Sequence, residues 1–452
     1  MKRLQNGIFR FFLDCVSAVV FCRLWRRSDV SAKGNGGVVD KLFLKFGSGQ
    51  RICGGIWLFL YFQKRREMDF TNVLSSTFTL VLLALLALSF VLLCLYYGLI
   101  WLRTGRYSKS PLPTPDTVAE RDLPSVSVVV VAHNEAESLK KSLPYLLEQD
   151  YPDYEVVVVD YTSQDDTPFV LRVCSENYPN LKPVSFPADV NMFKGKKYPL
   201  SIGIKSATKD VVLLTEPDCI PKGFDWIKEM MCGYMRGASI VMGYGLLNAE
   251  GTLLGALQQY ENLIYNASYL GSALLGYPYT GSGRNLSYRR EFFFGRGGFI
   301  SHYSFPDGAD DLFVNQNATR SNTVVVLREG AAVVSDARST FGQWCQERLH
   351  RTSSHRFYGL GNKLSLLVYP LSQCVFLAAL LWLWIGGLFP WQLLAAVLAV
   401  KIIWQIVCCA LLAKRFSVKK IQFFSPFFEL YFLFANTFLF FSTLRKKNIQ
   451  WR

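Results

Sequence analysis

An α/β domain with a parallel sheet, set between membrane-spanning helices, is the fold class this 452-residue sequence predicts. Between Pro124 and Asn362, Val-rich runs alternate with amphipathic pieces, the signature of βα units feeding a parallel sheet. Ser76 to Leu102 holds no charged residue, and a second apolar block runs from Leu364 to Ala413. Each exceeds the roughly 20 residues a membrane helix needs. The composition agrees: 51% hydrophobic with 18% charged is apolar for a wholly soluble protein.

The net charge of +15 raises nucleic acid as a partner, but the placement of the charges sets it aside. Arg103, Arg106 and Lys109, then Lys414, Arg415, Lys419 and Lys420, then Arg445, Lys446 and Lys447 all flank apolar segments. Such flanks mark the cytoplasmic side of membrane helices and attract anionic membrane lipids. The 11 cysteines form no CxxC pair, and Cys94, Cys374, Cys408 and Cys409 sit inside apolar runs. Neither a zinc site nor a disulfide framework follows, and a reducing cytosol suits the middle of the chain.

In chain order, residues 1–67 mix short apolar pieces with Arg-rich breaks and show no usable periodicity. Gln63-Lys64-Arg65-Arg66-Glu67 would hold its side of the first span in the cytoplasm and push the central domain out. A functional start at Met68 removes that conflict and makes 1–67 an extension. Residues 68–103 then form a transmembrane helix, and 104–123, rich in Pro, Thr and Asp, a linker. Residues 124–362 are the globular domain. Residues 363–413 hold two transmembrane helices with a turn at Gly386-Gly387 and Phe389-Pro390, and 414–452 a third apolar segment and a basic tail. Pro426, Glu429 and Asn436 leave that last segment open as a span, a re-entrant hairpin or an interfacial piece. Lys401, expensive in mid-span, needs a partner, and Glu429 can supply one.

Within the globular domain, Ser125 to Ala132, Glu155 to Asp160, Lys182 to Phe186 and Asp210 to Leu214 read as strands. Leu139 to Leu147, Thr167 to Glu176 and Tyr198 to Ala207 read as the helices between them. Polar residues follow three strands: His133-Asn134-Glu135, the Asp160 to Asp166 loop, and Glu216-Pro217-Asp218. They converge on the carboxyl edge, where open α/β sheets bind ligands. No GxGxxG or GxxxxGK[ST] follows a strand, which argues against dinucleotide and P-loop folds. Glu216 and Asp218 offer hard oxygen donors that can hold Mg2+ or Mn2+ against a diphosphate.

Six motifs come in an order that resembles family 2 glycosyltransferases, the membrane-bound bacterial members with a GT-A (Rossmann-like, nucleotide-diphospho-sugar transferase) fold. They are the Val-rich strand with His133-Asn134-Glu135, the Asp160 to Asp166 loop, Lys194-Gly195-Lys196-Lys197, Thr215 to Cys219, Gly281 to Arg290 with Arg284 and Asn285, and Gly308 to Phe313. The resemblance covers about Pro124 to Tyr358. It implies an inverting transfer from a nucleotide sugar, UDP-linked, to a lipid-linked or glycan acceptor in cell-envelope polysaccharide synthesis. It also implies substrate contacts at His133, Asn134, Glu135, Asp160, Lys196, Arg284 and Asn285, a metal at Asp218 and Glu216, and a base at Asp310 or Asp311.

Three departures from the family pattern stand out. The usual base position, three residues before the leucine, is Ala309 here, so Asp310 is favoured over Asp311, with Asp307 as an alternative. Tyr161 replaces a second acid in the Asp160 loop. Glu347, His350 and Arg351 occupy the spacings where polymer-making relatives carry an acceptor-holding Gln-x-x-Arg-Trp motif, without its tryptophan, while Trp344 offers a platform nearby. A processive synthase is therefore the second reading. A catalytically inactive scaffold for an envelope-glycan complex is the third.

Overall fold

The computed structural model describes residues 77–107, 112–185, 195–249, 251–303, 305, 308–418 and 421–445, with side chains to 437. The expectation for 1–67, and the alternative base Asp307, lie outside the described residues. The described residues form one compact unit.

The first described helix, α1 (Thr77–Gly105), carries no charge before Arg103 and has a π-helical stretch at Tyr97–Leu102. Strand β1 (Val126–Ala132) follows, buried along its whole length. Helices α2 (Ala136–Leu147), α3 (Thr167–Asn177) and α4 (Lys197–Ser206) then alternate with β2 (Tyr154–Asp160), β3 (Leu181–Ser185) and β4 (Val211–Leu214). These four strands pair in parallel in the order β3-β2-β1-β4, as the alternating pattern predicts. Val128 and Val130 face one core beneath Leu139 and Leu143 of α2. Val129 and Val131 face the other, with Leu200 and Ile204 of α4. Gly203 allows α4 to lie this close, because a Cβ there would meet Val129 at 2.6 Å.

Beyond β4 the sheet is mixed, which the run-by-run reading did not foresee. Strand β8 (Leu286–Arg289) inserts antiparallel between β4 and β6 (Ile240–Met242), and β9 (Thr323–Val325) closes the edge. A smaller sheet pairs β5 (Ile220–Pro221), β10 (Ala332–Asp336) and β7 (Tyr244–Asn248). The long α6 (Leu253–Leu274) is capped by the Thr252 hydroxyl on the Gly255 N–H at 3.0 Å. Short helices α5 (Trp226–Met231), α7 (Arg290–Gly295) and α8 (Asp311–Asn317) join the strands, and α9 (Phe341–Ser353) leads toward the apolar helices.

Among the described residues, three helices are long and apolar enough to cross a membrane: α1, α10 (Leu360–Ile385) and α11 (Trp391–Arg415). Their outward faces expose large apolar side chains, such as Leu88, Leu364 and Ile403. Residues Ile421–Arg445 form a single helix, α12, and not a hairpin. Its interior Pro426 cannot donate to the Gln422 carbonyl, and the Ser425 hydroxyl does so instead at 2.8 Å. Lys401 of α11 pairs with Glu429 of α12 and donates to Gln405 at 2.8 Å. The Glu429 carboxylate also accepts from Tyr97, Gln373 and Tyr369, the last at 2.6 Å, so both members of this buried charge pair have hydrogen-bond partners beyond each other.

Candidate active site

At the end of β4 the carboxylates of Glu216 and Asp218 and the Cys219 thiol bring one ligand atom each within 4.8 Å of one another. Three cations enclose the acids. Lys196 Nζ lies 3.0 Å from Glu216 Oε1, Arg284 Nε 3.2 Å from Glu216 Oε2, and Arg338 Nη2 3.4 Å from Asp218 Oδ2. Glu347 of α9 joins the two arginines, accepting from Arg284 at 2.7 Å and from Arg338 Nε at 2.8 Å. Burial works against ionising Glu216, but Lys196 and Arg284 outweigh it and hold its carboxyl well below the usual range. Asp218 moves the other way: burial, then the adjacent Glu216 charge, pushes its carboxyl up. The least compensated charge in the cluster is thus Asp218. Burial also raises the Cys219 thiol well above its ordinary value, which leaves two carboxylates as the donors. That set suits an oxygen-preferring Mg2+ or Mn2+ and not a thiolate-bound metal.

Beside the acids lies a cavity lined by Val131, Lys196, Thr215, Gly283, Ala309 and Asp310. The Thr215 hydroxyl is buried there without a partner among the described residues, free to bond a ligand. Asp310 accepts the Gly283 N–H and keeps part of its surface open. Gly283 is required for that approach, since a Cβ would stand 2.7 Å from Asp310 Oδ2.

Asp311 points elsewhere. It is buried, with Oδ1 accepting the Leu312 N–H at 2.8 Å and Oδ2 accepting the Ser354 hydroxyl and the Tyr358 hydroxyl, the latter at 2.9 Å. The expectation that Asp311 shares the base role is corrected on this ground: both its oxygens are committed inside the protein. Asn285 needs a second correction. It is 1% exposed, donates to the Tyr244 and Ala331 carbonyls at 3.0 and 2.7 Å, and accepts from Trp226 Nε1 at 3.2 Å. It ties the two sheets together and offers nothing to a substrate.

The strand-end loops of β1 and β2 brace each other. Asn134 donates its N–H to the Ser163 hydroxyl at 2.9 Å and accepts the Gln164 N–H on Oδ1 at 2.7 Å. Asp160 accepts the Ser163 N–H at 3.2 Å, and His133 Nδ1 lies 2.6 Å from the Tyr161 carbonyl. Asn134 and Thr162 hold φ of 57° and 54°, a left-handed conformation that is uncommon for a β-branched residue such as Thr162. Glu135 accepts the Ser138 hydroxyl at 2.7 Å, and burial first, with the Asp218 charge among the further causes, raises its carboxyl above the usual range.

A second cavity lies on the other side of the arginines, lined by Glu261, Arg284, Arg338, Trp344, Glu347 and Arg351. Glu261 of α6 holds this face of α9. It accepts from Trp344 Nε1 at 2.6 Å, Arg348 at 2.8 Å and Arg351 at 2.9 Å, and Arg351 also stacks over Tyr265 at 4.8 Å. His350 sits half-buried on the same helix. Sequence reasoning missed Arg338 and Glu261, and gave Thr215 a place in a motif but no role. Arg338 carried a usable signal, because Asp336-Ala337-Arg338 is a polar strand end like the three that were read.

Residues 127–293 match the sequence model described as glycosyl transferase family 2. Glycosyltransferase AglE of Haloferax volcanii is 32% identical over 126 residues, 27% of this chain and 38% of that protein. The poly-β-1,6-N-acetyl-D-glucosamine synthase of Staphylococcus epidermidis is 25% identical over 139 residues, 30% of this chain and 32% of the synthase. The chain thus matches about a third of the length of these relatives. Among solved structures, the mannosyltransferase PcManGT of Pyrobaculum calidifontis, in complex with GDP-Man and Mn2+, superposes with a TM-score of 0.54. It covers 81% of this chain and 99% of its own at 22% identity, a likeness of fold.

Proposed function

Because residues 127–293 match the glycosyl transferase family 2 model, we propose that the chain is a membrane-anchored inverting glycosyltransferase using a nucleotide-sugar donor. The observation that carries this reading is the acid pair Glu216 and Asp218, ringed by three cations and opening beside the cavity that Asp310 lines. Asp218 and Glu216 would hold Mg2+ or Mn2+, whose charge would offset that of the donor diphosphate. Lys196 and Arg284 supply further positive charge to the leaving diphosphate, and the Asn134, Glu135 and Asp160 loops bind the nucleoside. Asp310 accepts the proton of the acceptor hydroxyl as that oxygen bonds to the anomeric carbon and the bond to the diphosphate breaks. Trp344, Arg351 and Glu347 face the acceptor from the second cavity. The acceptor is a lipid-linked or growing envelope glycan, met at a cytoplasmic membrane crossed by α1, α10 and α11. The basic flanks of these helices support a cytoplasmic catalytic domain.

Purified full-length chain, given a panel of UDP- and GDP-sugars with Mn2+, is expected to release nucleoside diphosphate from one of them, and to lose that activity in Asp218→Asn. No turnover of any donor would instead favour the scaffold reading, which Ala309 at the usual base position supports. The length of the product separates single transfer from processive synthesis.

A further inference from the structure

We propose that Arg338 serves two partners in turn: it holds Asp218 while the acid pair carries no divalent ion, and passes to the donor diphosphate once the ion is bound. The proposal rests on the glycosyltransferase reading above and adds a diphosphate-binding residue to it. Three observations lead there. First, the guanidinium is held unequally. Its Nε meets Glu347 at 2.8 Å, whereas Nη2 reaches Asp218 only at 3.4 Å, outside the usual hydrogen-bond range. Second, the backbone of Arg338 is fixed while its side chain stays 39% exposed. Buried Gln258 accepts the Arg338 N–H at 2.8 Å and donates to the Arg338 carbonyl at 2.8 Å, so the arm pivots from a rigid point. Third, the acids are already paired with cations. Glu216, Asp218 and Glu347 bridge to Lys196, Arg284 and Arg338, three acids to three cations. A divalent ion added to that set brings two positive charges, which the two negative charges of a donor diphosphate offset. Arg338, displaced from Asp218 but retained by Glu347, is the cation placed to meet that diphosphate.

The test is binding by the full-length chain in detergent, with Mn2+ alone followed by electron paramagnetic resonance, then UDP and GDP each at saturating Mn2+. In Arg338→Gln, Mn2+ alone should bind about twofold to fivefold tighter, because a competing cation is gone. UDP or GDP, whichever the wild type binds, should bind about tenfold more weakly. Arg338→Lys should return Mn2+ affinity to the wild-type level, which shows that charge and not altered folding sets it. Unchanged or weaker Mn2+ binding in Arg338→Gln, with binding still abolished by Asp218→Asn, overturns the proposal and leaves the metal site standing. Wild-type Mn2+ binding that ignores Asp218→Asn overturns the reading beneath it as well.

Discussion

Tyr358 donates its hydroxyl to Asp311 at 2.9 Å, joining the helix that follows the candidate base to the last turn before α10. Ser354 donates to the same oxygen, and the Thr280 hydroxyl lies 3.1 Å from the Tyr358 phenol. Three segments, around Thr280, Asp311 and Ser354, are thereby fixed to one carboxylate, and one of them carries the Gly283 that Asp310 bonds.

Removing the phenol should loosen the placement of Asp310 without touching the donor pocket. Tyr358→Phe is expected to lower kcat while leaving donor KM within about twofold, and to cost about 1 kcal/mol of stability. Steady-state kinetics and thermal unfolding in detergent check both. A rise in KM with unchanged kcat would contradict this placement.

Acid dependence follows from the same residue. Burial, then the neighbouring Asp310 charge, pushes the Asp311 carboxyl up to about 6. The folded pKa lies above the unfolded one, so the stability it contributes is present in full below about pH 4 and lost as pH rises through about 6. Asp311→Asn should remove that loss, gaining about 2 kcal/mol on the wild type between pH 4 and 7. Parallel melting curves across that range would rule it out.

Asp310 and Asp218 should separate by kinetic signature. Asp310→Asn is expected to lower kcat by about 100-fold or more with nucleotide binding intact. Asp218→Asn should abolish Mn2+ stimulation together with nucleotide affinity. Calorimetric titration of the nucleoside diphosphate distinguishes them.

Asn285→Ala strands Trp226 Nε1 and two carbonyls inside the protein. A stability loss of about 2–3 kcal/mol is expected, with activity per folded molecule preserved. A variant that melts like the wild type but no longer binds nucleotide would return Asn285 to the substrate contacts.

How much of this was legible depends on how far each contact reaches along the chain. The strands β1 to β4 and their polar ends are local patterns, so Glu216 and Asp218 could be placed on the sheet edge from their own neighbourhood. Lys401 and Glu429 could be matched because a charge in an apolar run demands a partner and few were on offer. Asn285 and Asp311 misled because side-chain direction at the entry to β8 and α8 is set by tertiary packing, from Tyr244 and Ala331 in one case and Tyr358 in the other. Arg338 meets Asp218 across a long stretch of chain, and nothing in the spacing of either announces the other.

The Glu429 carboxylate, gripped by Tyr97, Tyr369, Gln373 and Lys401, bears on the order in which the protein is made. Translation delivers all four donors before their shared acceptor. Until α12 emerges, Lys401 lacks the carboxylate it pairs with in the folded chain, so α12 acts as the keystone that closes this group of helices.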